Sequence, residues 1–228
     1  KKDGVYMHFD PGYSMIAATA TTFMHSMIFL LLSGQSKKQY MRFWGLSWLV
    51  YSAMFLLDFC HLNWNFVYLG YVMLRQMLAL LGSYTFLLGT HHFFQIKCPA
   101  ALGFAAILST ISMVLYPASY PVYTLMIIPN IIFSSGLLIY SGCMFIAISW
   151  TQKLPEKLIA SFLIILWSIF INHFAFSLKN QQLEIGSYYI SIFTVNVLIL
   201  TLIIIYFKKL RFIDTKQHNR FRLLVENS

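Results

Sequence analysis

Residues Ser187–Phe207 have the sequence SYYISIFTVNVLILTLIIIYF, which contains no charged side chain. A helix needs about 20 consecutive apolar residues to cross the hydrocarbon part of a bilayer. The stretch has that length, and Lys208 and Lys209 follow it directly. It is therefore predicted to be a membrane-spanning helix that ends at the membrane surface.

Six further segments, all of them earlier in the chain, have the same apolar character, and short polar connections separate them. The sequence therefore predicts an all-α fold, a polytopic membrane protein built as a bundle of seven transmembrane helices. The six segments are Ser14–Ser33, Met41–His61, Phe66–Thr90, Ala100–Tyr116, Val122–Trp150 and Lys157–Leu178.

The composition also indicates that the partner of the chain is the lipid bilayer. Hydrophobic residues make up 59% of the chain and charged residues 10%, whereas soluble domains carry roughly 25% charged residues. The net charge of +9 does not indicate a nucleic-acid partner, because the cations lie between apolar runs instead of forming one basic face. The three cysteines are scattered, without the spacing of a disulfide framework or a metal site.

The distribution of the cations predicts the orientation. Cytoplasmic loops of membrane proteins are enriched in Lys and Arg, and the first, third and fifth connections and the segment after the last span carry most of them. The N-terminus is thus expected outside the cell and the C-terminus in the cytoplasm. The cations of the predicted cytoplasmic side are Lys37, Lys38, Arg42, Lys97, Lys153, Lys157, Lys208, Lys209 and Arg211.

Ionisable side chains inside a span are costly and mark candidate functional sites. Arg75 lies deep in the third span, on a face with Tyr71 and Ala79, and Asp58 in the second span is its natural partner. Three interpretations remain open. Arg75 extends its side chain to the membrane surface, pairs with Asp58 for structural reasons, or binds a carboxylate or phosphate of a ligand.

Other polar side chains fall within the spans, and most lie toward their outer ends. The shared depth suggests a polar cavity in the outer half that binds a small ligand or lipid, although any single residue of this kind more often makes a helix–helix hydrogen bond. The predicted ligand-binding residues are Arg75, Asp58, Tyr71, His25, Asn130, Asn172, His173 and Asn196.

The sequence favours no cofactor and no catalytic site in this chain. His25 and His173 are the one histidine pair that could ligate a haem, but they lie at unequal depth, so we expect none. A retinal protein would need a lysine in the middle of the last span, and Ser187–Phe207 has none. Phosphate-binding and nucleophile motifs do not occur.

The segment after the last span is predicted to continue as a cytoplasmic helix. Leu210, Ile213, Phe221 and Leu224 recur at helical spacing and form an apolar stripe. Such a stripe favours a parallel dimer; the alternative is a short solvated helix that frays. Within the bundle, Pro129 is predicted to kink the fifth span. These five residues are the candidates for relaying a signal.

The final residues Arg220–Ser228, RFRLLVENS, resemble the opening of a PAS domain. The membrane region, with YMRFWGLSW at Tyr40–Trp48 and LLGTHHFF at Leu87–Phe94, resembles the seven-helix input modules that precede PAS, histidine-kinase and GGDEF domains in bacterial and archaeal receptors. The resemblance implies a sensor domain in the cell membrane, a homodimer, and cytoplasmic PAS and kinase domains in the same chain.

On this interpretation the chain divides into four parts. Residues 1–13 form an extracellular segment, 14–207 the transmembrane sensor domain, 208–219 a signalling helix, and 220–228 the start of a PAS domain. A small-molecule transporter or carrier is the main alternative, and it predicts a polar path through both leaflets. The membrane domain of a diguanylate cyclase and a structural membrane subunit without a ligand are further alternatives.

Overall fold

The computed structural model describes residues 11–64, 68–115, 120–152, 155–177, 190, 192–211 and 215, and all regular secondary structure in these ranges is helical. The prediction of an all-α bundle of seven helices is therefore confirmed. The helices are α1 (Pro11–Ser36), α2 (Gln39–Trp64), α3 (Tyr68–Phe94), α4 (Ala100–Leu115), α5 (Tyr120–Gln152), α6 (Pro155–Ser177) and α7 (Ile192–Arg211).

Five of these helices, α1, α2, α3, α5 and α7, are long and apolar enough to cross a membrane. Helix α4, with 16 residues, is shorter than the roughly 20 residues that a full crossing needs. Helices extend past the apolar stretches seen in the sequence, so that Lys37 and Lys38 alone separate α1 from α2. The side of the membrane on which each terminus lies stays a prediction.

Helix α3 occupies the centre of the bundle and contacts α2, α4, α5 and α6. Helix α1 packs on α2, and α5 packs on α6. Helix α7 adds its buried face to the main apolar core, to which α1, α2 and α6 also contribute. We call the end at which α2 ends and α3 begins the upper end, and the end at which α7 ends the lower end.

The burial pattern differs from that of a water-soluble protein, because large apolar side chains are exposed and an oppositely charged pair is buried. Phe104, Phe162 and Phe193 are 64–69% exposed, whereas Asp58 and Arg75 are 2% and 1% exposed. An apolar exterior, with ionisable side chains buried inside the bundle, matches lipid as the surrounding solvent. The architecture is compatible with a multi-pass membrane protein.

Small residues allow the helices to approach closely, as is common in membrane bundles. The hydroxyl of Ser47 on α2 donates to the carbonyl oxygen of Gly82 on α3 at 2.8 Å, and Ser26 on α1 donates to Gly45 on α2 at the same distance. A methyl group added at Gly89 would lie 2.4 Å from the indole of Trp44. The packing of α1, α2 and α3 therefore depends on these glycines.

The lower half of the core is filled by aromatic rings. Trp44 lies within 6.5 Å of the ring centroids of Phe86, Phe93 and Phe145, which come from α3 and α5. Trp48 packs at 6.0 Å from Trp167 of α6. These rings form a packed apolar layer between the lower end of the bundle and the polar residues above it.

Candidate functional site

A buried ion pair joins α2 to α3 in the upper half of the bundle. The Nε of Arg75 lies 3.0 Å from Oδ1 of Asp58, and the hydroxyl of Tyr71 donates to the same oxygen at 2.7 Å. Tyr71 and Arg75 lie one helical turn apart, so both side chains project from one face of α3. Of the three interpretations that the sequence left open, the structure shows the pairing of Asp58 with Arg75, and the burial of Arg75 excludes snorkelling to the surface.

The surroundings of the pair connect it to α6. The two terminal nitrogens of Arg75 each lie 3.5 Å from the carbonyl oxygen of Ile171, at the limit of a hydrogen bond. The imidazole of His61 stacks on the ring of Tyr71, with centroids 3.8 Å apart. We call Asp58, His61, Tyr71 and Arg75 the ion-pair cluster; it holds three helices together through charge-assisted contacts.

A second polar cluster lies on the opposite side of α3. The Nδ2 of Asn130 on α5 donates to the backbone oxygen of Gln76 at 3.2 Å, and Ser109 on α4 donates to Oδ1 of Asn130 at 2.7 Å. Gln76 is fully buried, and its Nε2 has no hydrogen-bond partner among the described residues. We call Gln76, Ser109 and Asn130 the amide cluster.

The two clusters lie at the same depth because Arg75 and Gln76 are consecutive residues of α3. The ion pair and the hydrogen bonds place Asp58, Tyr71, Arg75 and Asn130 at a similar depth, while their predicted role in ligand binding stays a prediction. A displacement or rotation of this turn of α3 would change the contacts of both clusters at once. The arrangement thus couples α4 and α5 on one side to α2 and α6 on the other.

A groove lies between α4 and α5. It has a volume of about 760 Å³ and an apolar lining that includes Leu108, Phe133 and Tyr140, while Ser109 and Pro129 contribute next to the amide cluster. From Pro129 to Tyr140 the groove extends roughly 16 Å along α5. It is open toward the surface of the bundle. Arg75 and Asp58 contact each other, and the polar cavity expected around them stays a prediction.

The remaining predicted site residues lie elsewhere. His25 is half-buried on α1, and the neighbouring Ser26 bonds to Gly45, about 20 Å along α2 from Asp58. Asn196 donates to the carbonyl oxygen of Ile192 in its own helix. The side chains of Asn172 and His173 lie outside the described part of the chain, so their predicted roles stay predictions.

The candidate relay residues are partly described. Pro129 lies within the continuous helix α5, and Leu210 is half-buried and packs against the core of the bundle instead of standing clear of it. Ile213, Phe221 and Leu224 lie outside the described residues. The predicted continuation of the last helix past Phe207 is confirmed as far as Arg211.

The lower end of α7 is held by its two lysines. Lys208 forms an ion pair with Glu156 at the start of α6, at 3.0 Å. The ammonium of Lys209 donates to the carbonyl oxygen of Phe93 at 3.0 Å and lies 4.1 Å from the centroid of its ring. The ring of Tyr40 on α2 is 5.3 Å away. The end of α7 therefore contacts α2, α3 and α6.

Sequence reasoning missed three of these residues. Gln76 follows Arg75 directly, and a polar amide at that depth was a usable signal for it. Ser109 gives no such signal, because serine is common in membrane helices. Lys209 was assigned to the membrane surface by its charge, and its contact with Phe93 depends on the packing of α3 against α7.

Within the described ranges, no three His, Cys, Asp or Glu side chains come together as a metal site would require. Comparison of the chain with protein-family models, curated proteins and solved structures finds no match. The fold and the site define an all-helical bundle, compatible with a multi-pass membrane protein, that has a buried ion pair above an aromatic core. Its function must be argued from this geometry.

Proposed function

We propose that this chain is the membrane-embedded sensory input domain of a signal-transduction receptor. It senses a small hydrophobic ligand or a lipid within the bilayer and relays the change through α7 to a cytoplasmic PAS domain and a histidine kinase. The observation that carries the proposal is the position of α7. Its upper part is packed into the core, and its end contacts α2, α3 and α6 before the chain continues toward the PAS-like segment.

The groove between α4 and α5 is the proposed place of the stimulus. A ligand there touches Ser109, which bonds to Asn130, which bonds to Gln76 of α3. The next residue of α3 is Arg75, whose contacts reach α2 and α6. A ligand can shift this packing only by as much as its affinity differs between two arrangements of the helices. A second arrangement of the helices would cost least free energy at two points: the amide of Gln76, whose Nε2 lacks a hydrogen-bond partner among the described residues, and the long contacts between Arg75 and Ile171.

A transporter or carrier is less well supported by the same geometry. Transport requires a polar path that can open to both sides of the membrane. The described polar clusters lie in the upper half, and the rings of Trp44, Phe86 and Phe93 fill the core below them. The packed aromatic layer therefore favours a sensor over a carrier.

A structural membrane subunit without a ligand is the second candidate. The specific observation in its favour is the pairing of Asp58, Tyr71 and Arg75 with one another, since satisfied helix–helix contacts are what a structural role requires. The output domain distinguishes the two. Sequencing the coding DNA past Ser228 should reveal a PAS domain followed by a phosphoacceptor helix and an ATP-binding domain; a GGDEF domain would identify a diguanylate cyclase instead.

A stop codon within a few residues of Ser228 would contradict the proposal and leave the structural interpretation. If the output is present, two substitutions test the relay. Replacing Phe221 and Leu224 by polar residues should uncouple stimulus from kinase output, because the apolar stripe that transmits motion of α7 is lost. Unchanged signalling would refute the helix relay, and Tyr13→Phe, an exposed position on α1, is the control.

A further inference from the structure

A basic pocket lies at the lower end, where the turn between α1 and α2 approaches the end of α3. It consists of two adjoining cavities of about 420 and 230 Å³, and both are lined by Lys37, Lys38 and Gln39. Arg42 lines the larger cavity, and Lys209 lines the smaller one. Four cationic side chains thus surround one concave surface.

No carboxylate of the described residues lines this pocket. The described part of the chain contains two carboxylates, Asp58 and Glu156. Asp58 lies at the other end of the bundle, and Glu156 binds Lys208. Within the described structure the positive charge of the pocket is therefore not neutralised by the protein, and an anion would be attracted to it.

The backbone at the rim supports a binding role. Lys37 and Gln95 have positive φ angles of 52° and 59°, and each follows the end of a helix, where glycine is the usual residue because other side chains are strained there. Both side chains line the smaller cavity. Strained conformations of this kind concentrate at sites where the side chain is needed.

The position of the pocket indicates which kind of anion it binds. Lys37 and Lys38 separate two consecutive segments that are long and apolar enough to cross a membrane, Gly12–Ser36 and Gln39–His61. In a bilayer crossed by these segments, the pocket lies at the surface, at the level of the lipid headgroups. Arg binds phosphate through two parallel hydrogen bonds, and Lys binds it as a point charge. We propose that this pocket binds the phosphate of an anionic phospholipid headgroup, with Lys37, Lys38, Arg42 and Lys209 as its ligands.

The bound headgroup would also contact the relay. Lys209 belongs to the end of α7, and its ammonium already contacts Phe93 of α3. A phosphate in the smaller cavity adds a further bond between α7 and the turn at Lys37. Lipid composition would then set how firmly the end of α7 is held. This consequence rests on the proposed sensory function, whereas the binding itself does not.

The test compares two variants of equal charge in the purified full chain. Lys37→Gln/Lys38→Gln removes two cations from the pocket, and Lys97→Gln/Arg211→Gln removes two exposed cations that line neither cavity. Native mass spectrometry measures the retention of phosphatidylglycerol against phosphatidylcholine. The pocket variant should bind phosphatidylglycerol roughly 25-fold more weakly, since each cation near an anionic headgroup contributes about fivefold. The control should change by less than about threefold, because its cations line neither cavity and, being exposed, are screened by salt.

An equal loss in both variants, or no preference for phosphatidylglycerol in the unaltered protein, would overturn the proposal. Displacement of the lipid by inorganic phosphate at low millimolar concentration would also overturn it, because the occupant would then be a soluble anion. Lys37→Gly provides a second check. It relieves the left-handed strain, so the protein should unfold at the same or a higher temperature while binding the lipid more weakly. Wild-type lipid retention in Lys37→Gly would refute a role for this side chain.

Discussion

At the scale of single residues, the burial of Asp58 and the burial of Arg75 each depend on the charge of the other residue. Each ion alone in a buried, low-dielectric position would carry a large desolvation cost, which the other ion and the hydroxyl of Tyr71 offset. Both side chains are almost completely buried. The pair is therefore expected to stabilise one packing of α2 against α3 more than it stabilises the fold in general.

Breaking the pair from one side should be more harmful than removing it. Asp58→Asn or Arg75→Gln alone should lower the free energy of unfolding by about 3–5 kcal/mol, because each leaves an unpaired buried charge. The double variant should lose clearly less unfolding free energy than the sum of the losses in the two single variants. Urea unfolding in detergent micelles measures all four free energies. Losses that add without any coupling would mean that the two charges do not interact.

At the scale of the helix, close approach of α2 and α3 depends on Gly89. The indole of Trp44, against which an added methyl would collide, is itself fully buried among other rings. The rings of Phe86, Phe93 and Phe145 surround it. The close approach of Trp44 to Gly89 therefore accommodates glycine but not alanine without a rearrangement.

Gly89→Ala should lower the free energy of unfolding by about 1–3 kcal/mol through overpacking. Gly136→Ala on α5 is the matched control, since an added methyl there meets nothing within 4 Å. The control should be neutral or stabilising by up to about 1 kcal/mol, because alanine favours the helix. Thermal unfolding in the same detergent compares the two. Equal stability of both variants would show that the side chain of Trp44 can move aside for the added methyl group.

The two lysines at the end of α7 differ in their surroundings although they are adjacent. Lys208 is 61% exposed in its ion pair with Glu156, whereas Lys209 is half-buried and combines a hydrogen bond with two ring contacts. Exposed ion pairs contribute little because water screens them. The buried contacts of Lys209 are the stronger attachment of α7.

Lys209→Gln should lower the free energy of unfolding by about 1–2 kcal/mol through loss of the cation–ring and carbonyl contacts. Lys208→Gln should change it by less than about 1 kcal/mol. Spin labels at position 215 and in the turn at Lys97, measured by double electron–electron resonance, should give a broader distance distribution for Lys209→Gln. A distribution as narrow as that of Lys208→Gln would exclude Lys209 as the attachment.

For the whole molecule, the excess of cations at the lower end predicts that this end faces the cytoplasm. The described cations there include Lys37, Lys38, Arg42, Lys97 and Lys209, and the positive-inside tendency orients such bundles. A green fluorescent protein fused after Ser228 should fluoresce, and alkaline phosphatase fused at the same place should be inactive. Active phosphatase and absent fluorescence would invert the predicted topology.

The sequence by itself was sufficient for the all-α bundle and for the depth of Asp58, Tyr71, Arg75 and Asn130. Apolar length and helical periodicity are local properties, so they predict where a span lies and which face each polar residue occupies. The face shared by Tyr71, Arg75 and Ala79 was predictable for this reason and is buried in the structure.

The partners of these residues depend on the tertiary structure. Three contacts follow from which helices are neighbours: Arg75 with Ile171, Gln76 with Asn130, and Lys209 with Phe93. Periodicity along one helix carries no information about the order in which helices pack. The groove beside α4 arises for the same reason. Its lining residues come from two helices and look like ordinary lipid-facing positions until the bundle places them opposite each other.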